Sequence, residues 1–254
     1  MLFNVAFLST TLLAALAAAL PVDLSAELPD LKDQIGENGE GTSKATVTLS
    51  DTYKVYSGDG TKSASWPNKD SWGTYDQLWK QNLPLIRQSC TWNKWGEDNS
   101  ETEISDINKA IQKVSNETQV DSRIILAVMM QESKGCVRVP TSYNPIKNPG
   151  LMQSHNGKGS CDGVAKCSAA TIELMIRDGV VGTSNGDGLK QCFAKTLKTV
   201  GSAGSRALYA AARMYNSGSV DYENFSNGFS STKCYVSDIA NRLTGWTLAK
   251  SKCR

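Results

Sequence analysis

The stretch Ile124-Ile125-Leu126-Ala127-Val128-Met129-Met130-Gln131-Glu132-Ser133 is among the most apolar in the chain, and a carboxyl, Glu132, stands at its end. A carboxyl against apolar walls has its charged form disfavoured, so its pKa rises and it stays protonated near neutral pH. If the stretch is helical, the negative end of the helix dipole pushes the same way. A neutral acid of this kind can hand a proton to a leaving oxygen, the step that breaking a glycosidic bond requires. Taken alone, Glu132 reads at least as well as an ordinary surface carboxylate at a helix end.

Two further segments carry groups that would complement such an acid. Asn148-Pro149-Gly150-Leu151-Met152-Gln153 is a Pro-Gly turn leading into apolar residues and an amide. Arg213-Met214-Tyr215-Asn216-Ser217-Gly218 ends an Ala-rich stretch with a phenol, an amide and a glycine. Each also reads as plain structure, a loop entering a helix or a helix stop. Together they supply what a sugar cleft uses: amides and a phenol for hydroxyl and N-acetyl groups, with apolar flanks that shed water.

The elements that must position these groups are helical. Ile104, Ile107, Ile111 and Val114 form one face of a helix over 101–115. Asp121 is placed to cap a second helix ending near Gly135, and Ser168 a third with Ile172, Met175 and Ile176 inward. Asp187 precedes a fourth carrying Leu189, Cys192, Phe193 and Leu197; Leu208, Ala211, Ala212 and Tyr215 stripe a fifth; Ile239 and Leu243 mark a last. The expected fold class is mainly α, one domain over residues 71–254 with disulfides.

Residues 1–19 read as a secretory signal peptide, apolar but too short to span a bilayer comfortably, with small residues at Ala17-Ala18-Ala19. Residues 20–70 read as a poorly ordered acidic extension, although Thr46–Leu49 and Tyr53–Tyr56 have the composition of short strands or of an arm across the domain. Seven cysteines and a single histidine, without metal-ligand spacing, point to disulfides and to no metal. One cysteine must stay unpaired or pair between chains, and spacing does not select which. Asn116 and Asn224 stand in glycosylation sequons. Residues 21–70 carry nine acidic and five basic side chains, a net −4, whereas the whole chain is +2, leaving the body cationic and suited to an anionic polymer.

The order Glu132-Ser133, then Gly150-Leu151-Met152-Gln153, then Met214-Tyr215-Asn216-Ser217-Gly218 resembles the motif series of soluble lytic transglycosylases, glycoside hydrolase family 23, which includes the goose-type lysozymes. The resemblance spans about residues 100–246 and extends to Tyr235–Trp246 as the closing helix. Gly135–Pro140, Ser154–Gly157 and Ser237–Leu243 resemble a secreted fungal branch of the superfamily. The resemblance implies a lysozyme-like fold and cleavage of the β-1,4 bond between N-acetylmuramic acid and N-acetylglucosamine. It implies Glu132 as acid and base, with Ser133, Met152, Gln153, Tyr215 and Asn216 lining the cleft. Tyr215 would position the Glu132 carboxyl or the sugar. Goose-type enzymes place an Asp shortly after the Gly-Leu-Met-Gln segment, but Ser154 and His155 stand here. Asp162 is then the candidate second acid, and His155 a residue of the cleft edge. The expected protein is a secreted monomer with a polysaccharide partner (peptidoglycan, or chitin), and with no cofactor, nucleic acid or membrane partner. The competing expectation is a wall- or chitin-binding protein without catalysis, suggested by the missing second carboxylate and by the tryptophans Trp66, Trp72, Trp79, Trp92 and Trp95.

Overall fold

The apolar run before Glu132 becomes helix α3, Ser122–Glu132, in a computed structural model that describes residues 47–253. Asp121 caps it by accepting from the Arg123 N–H. Every residue from Ile124 to Met130 is at most 3% exposed, so α3 is apolar on all sides and can only sit inside. Its neighbours do the enclosing: α1 (Tyr75–Trp92), α2 (Glu101–Thr118), α4 (Ala169–Val181) and α7 (Tyr235–Leu243) all pack against it. The remaining helices, α5 (Leu189–Val200) and α6 (Ser205–Ser217), pack on each other, and α6 also packs on α7. A two-residue antiparallel pair, β1 (Ser142–Tyr143) with β2 (Lys147–Asn148), completes a mainly α fold.

Local chemistry accounts for the helix starts. Thr74 with Gln77 and Ser100 with Glu103 form reciprocal capping boxes at α1 and α2, and the Ser168 hydroxyl accepts from Thr171 N–H at α4. Helix α5 starts from Gly188 without a side-chain cap, while Asp187 pairs with Lys195 two turns on. Helix α2 keeps the expected isoleucine face inward and runs to Thr118.

Three disulfides form: Cys90–Cys136 ties α1 to the segment after α3, Cys161–Cys167 closes a small loop, and Cys234–Cys253 holds the end of the described chain to the start of α7. Cys192 is the free cysteine and is buried. A buried ion pair joins the same region: Arg138 donates to Glu103 at 2.7 and 3.2 Å, and Glu103 also accepts from the N–H groups of Ser100 and Cys167. No helix among the described residues is long and apolar enough to cross a membrane.

The extension needs correction where the structure describes it. Residues 47–70 are packed, with Tyr53, Tyr56 and Trp66 buried. Tyr53–Tyr56 takes the expected form of an arm across the domain, and it needs no apolar period because α7 side chains satisfy its backbone. Asn241 accepts from Lys54 N–H and donates to Lys54 O, and Ser237 Oγ accepts from Tyr56 N–H. Asp51 accepts from three successive N–H groups, Thr247 to Ala249, on the far side of α7. Residues 1–46, with the expected signal peptide and most of the expected extension, lie outside the described residues.

Candidate active site

Glu132 is the last residue of α3 and opens onto a cavity of about 640 Å³. The walls come from the β1–β2 hairpin (Ser142, Asn144, Asn148), the following loop (Gln153, His155), the α4–α5 connection with α5 (Asn185 to Asp187, Cys192, Lys195), and the C-terminal end of α6 (Met214 to Gly218), joined by Ser230 and Ser231. Four segments distant in sequence therefore meet around one carboxyl. The cavity leaves Glu132 partly exposed, and protein encloses it elsewhere.

Burial raises the Glu132 pKa to about 7, against the opposing pull of a Tyr235 hydrogen bond and the nearby Lys134 charge. The Tyr235 hydroxyl donates to Glu132 Oε1 at 2.5 Å. Tyr235 is itself buried, and its phenol is held well above the ordinary range by burial and by the adjacent Glu132 charge. Lys134, half-buried and near Arg242, has its pKa drawn down to about 8 by desolvation and the Arg242 charge. Burial pushes the Cys192 thiol on the cavity wall up to about 12, helped by Asp187, so it carries no thiolate nucleophile near neutral pH.

Gly150 shapes the turn that brings Gln153 in. Its φ is +74°, and a side chain there would meet Gly159 O at 2.5 Å and Met175 Cγ at 2.6 Å. Gln153 itself takes a left-handed φ of +46°, uncommon for a residue with a side chain. Its Nε2 donates to Gly150 O and Pro140 O, which fixes the amide at the cavity wall.

The structure brings Glu132, Gln153, His155, Tyr215 and Asn216 to the same cavity. It does not bring three other expected residues there. Met152 is fully buried and packs on Gly179 of α4, where a Cβ would lie 2.3 Å away; its carbonyl accepts from the Tyr215 hydroxyl at 2.8 Å. Ser133 is fully buried, donates to Met129 O and accepts from Gly135 N–H, so it finishes α3. Asp162 accepts from Thr141 N–H and is absent from the cavity wall, so it is not placed as a second acid beside Glu132. Its place on the wall goes to Asp187, which is ion-paired with Lys195.

Tyr215 is also corrected in part: the phenol that grips Glu132 is Tyr235, and Tyr215 binds the Met152 carbonyl while facing the cavity. The signal for Tyr235 was its place at the start of the closing helix, but 103 residues separate it from Glu132 and no periodicity reveals such a pairing. Arg213 was missed as well. It is fully buried, donates to the carbonyls of Phe225 and Thr232 and to Asn216 Oδ1, and so ties Asn216 to the loop before α7. Trp66, Trp72, Trp79 and Trp246 are core residues, Trp95 is half-buried, and Trp92 is exposed, at 58%. A tryptophan-rich binding surface therefore does not form from them.

Neither a scan against protein-family models nor a search of curated proteins gives a match to this sequence.

Proposed function

We propose that this chain is a secreted glycosidase of lysozyme-like fold that cleaves the β-1,4 bond between N-acetylmuramic acid and N-acetylglucosamine in peptidoglycan. One observation carries the reading: a carboxyl with a pKa near 7, held by a buried phenol, opens onto a cavity walled by amides, hydroxyls and a second phenol. Three disulfides fit an oxidising, extracellular setting.

In this reading the Tyr235 hydrogen bond occupies Oε1, so the proton sits on Oε2 and passes to the glycosidic oxygen as the C1–O bond breaks. The resulting carboxylate is stabilised by the same phenol and by Lys134, then accepts a proton from the incoming hydroxyl. The other carboxylate on the wall, Asp187, is engaged with Lys195, which supports a route using one carboxyl, with the sugar's own 6-hydroxyl closing a 1,6-anhydro ring. Asn216, Gln153 and Tyr215 line the cavity, and in this reading they hold hydroxyl or N-acetyl groups.

The test is digestion of purified peptidoglycan by the secreted chain, with product masses read by mass spectrometry. Fragments should carry anhydro ends, lighter than hydrolysed ends by one water. Glu132→Gln, nearly the same shape, should lower their release by about 100-fold or more, as expected for loss of a general acid. Full activity in that variant contradicts the proposal, and reducing ends replace the 6-hydroxyl by water.

A further inference from the structure

The β1–β2 hairpin has two faces, and only one belongs to the cavity described above. Side chains alternate along each strand, and the wall residues follow that alternation. Ser142, Asn144 and Asn148 face the Glu132 cavity, whereas Thr141, Tyr143, Lys147 and Pro149 line a second depression of about 420 Å³. The pairing register agrees: Ser142 stands opposite Asn148, and Tyr143 opposite Lys147. The hairpin is thus a thin partition with a depression on either side. The loop after it divides in the same way, His155 on the Glu132 side and Asn156 and Lys158 on the other.

The chemistry of the second depression is specific. Tyr143 is 70% exposed, the highest value among the exposed large apolar side chains, and burial gives no reason for it to be there. An exposed aromatic ring suits the apolar face of a sugar. Lys147 and Lys158 are exposed and form no ion pair with a described residue. No carboxylate lines the depression. The neighbouring acids are engaged with backbone, Asp162 with Thr141 N–H and Asp178 with the N–H groups of Lys158 and Gly159. The volume lies within the roughly 300–1,000 Å³ range of small-ligand sites.

We propose that this outer face of the hairpin is a second binding site, for a carboxylate-bearing unit of a polysaccharide, with Tyr143 under the ring and Lys147 and Lys158 on the carboxylate. The inference rests on the reading of the chain as a peptidoglycan-acting protein, but it needs no catalysis. It places one strand of polymer across both faces of the partition, or a second strand on the outer one, and either arrangement anchors the protein to its substrate.

The experiment measures binding of the full chain carrying Glu132→Gln, which prevents turnover, to insoluble peptidoglycan and to uncharged chitin. Tyr143→Ala should weaken binding to both by about tenfold, the worth of one aromatic contact. Lys147→Gln with Lys158→Gln should weaken binding to peptidoglycan by about fivefold, as two exposed ion pairs imply, and leave chitin unchanged. All three side chains are exposed, so the fold should survive, and unchanged thermal unfolding checks this. Parental affinity for peptidoglycan in the lysine variant overturns the proposal, as does an equal loss on both polymers. The two readings fail separately: if the protein with Glu132 intact releases no fragments yet the lysine variant loses peptidoglycan, the cleavage reading falls and this site stands.

Discussion

At the scale of the residue, burial and a hydrogen bond pull the Glu132 proton in opposite directions. Burial favours neutral Glu132, and the Tyr235 hydrogen bond favours its anion. Removing the phenol should therefore raise the Glu132 pKa above about 7 and carry the alkaline limb of the pH–rate profile upward with it. Tyr235→Phe should also lower the maximal rate by about tenfold, because the carboxyl loses the bond that orients it. A profile of kcat against pH for the two proteins checks both effects; an unshifted limb would mean that the phenol only packs. Glu132 stood out as a carboxyl closing a long apolar run, but only the ordered segments Gly150–Gln153 and Met214–Gly218 lifted it above an ordinary carboxylate at a helix end. Ser133 and Met152 were misread because adjacent residues of a turn face opposite ways: Gln153 reaches the cavity while Met152 is pressed onto Gly179.

At the scale of the element, the site depends on keeping the end of α3 fixed against the helices around it. The Cys90–Cys136 bridge closes 46 residues of chain four positions beyond Glu132. Constraint of the unfolded chain by a loop of that length is worth about 4 kcal/mol, so replacing both cysteines by alanine should lower unfolding free energy by about that amount. Denaturant titration measures it, and a loss under 1 kcal/mol would mean that the Glu103–Arg138 pair and the core hold this corner unaided. Helices α2 to α7 were readable, since stripes such as the isoleucines at three- and four-residue steps on α2 permit few other readings, whereas α1, with Pro84 inside it, was not singled out. Tyr53–Tyr56 was readable as an arm across the domain, but what orders it was not, because its partners Ser237 and Asn241 lie nearly two hundred residues later. The disulfide pattern was closed to sequence reasoning for the same reason: pairing is a property of distance in space.

At the scale of the whole molecule, a raised acid pKa is also a statement about stability. Between pH 4.5 and about 7 the folded state binds the Glu132 proton more tightly than the unfolded chain does, so stability falls as pH rises through that window. Glu132→Gln removes this dependence. The two proteins should be equally stable near pH 4 and differ by about 2 kcal/mol in favour of the variant at pH 8, the partial exposure of Glu132 having been allowed for. Equal stability at both pH values would place the acid in solvent. The cationic body has a separate consequence: if peptidoglycan is the substrate as proposed, binding to it should weaken as salt rises, since exposed charges are screened over about 10 Å at 0.1 M.

The most direct measurement is the titration of one carboxyl. Carbon-13 spectra of the full chain labelled at glutamate side chains, compared with those of Glu132→Gln to assign the resonance, give the pKa of Glu132 itself. The account predicts a midpoint near 7. A midpoint at the ordinary value of 4.5 would contradict it, because an acid already ionised at neutral pH has no proton to give.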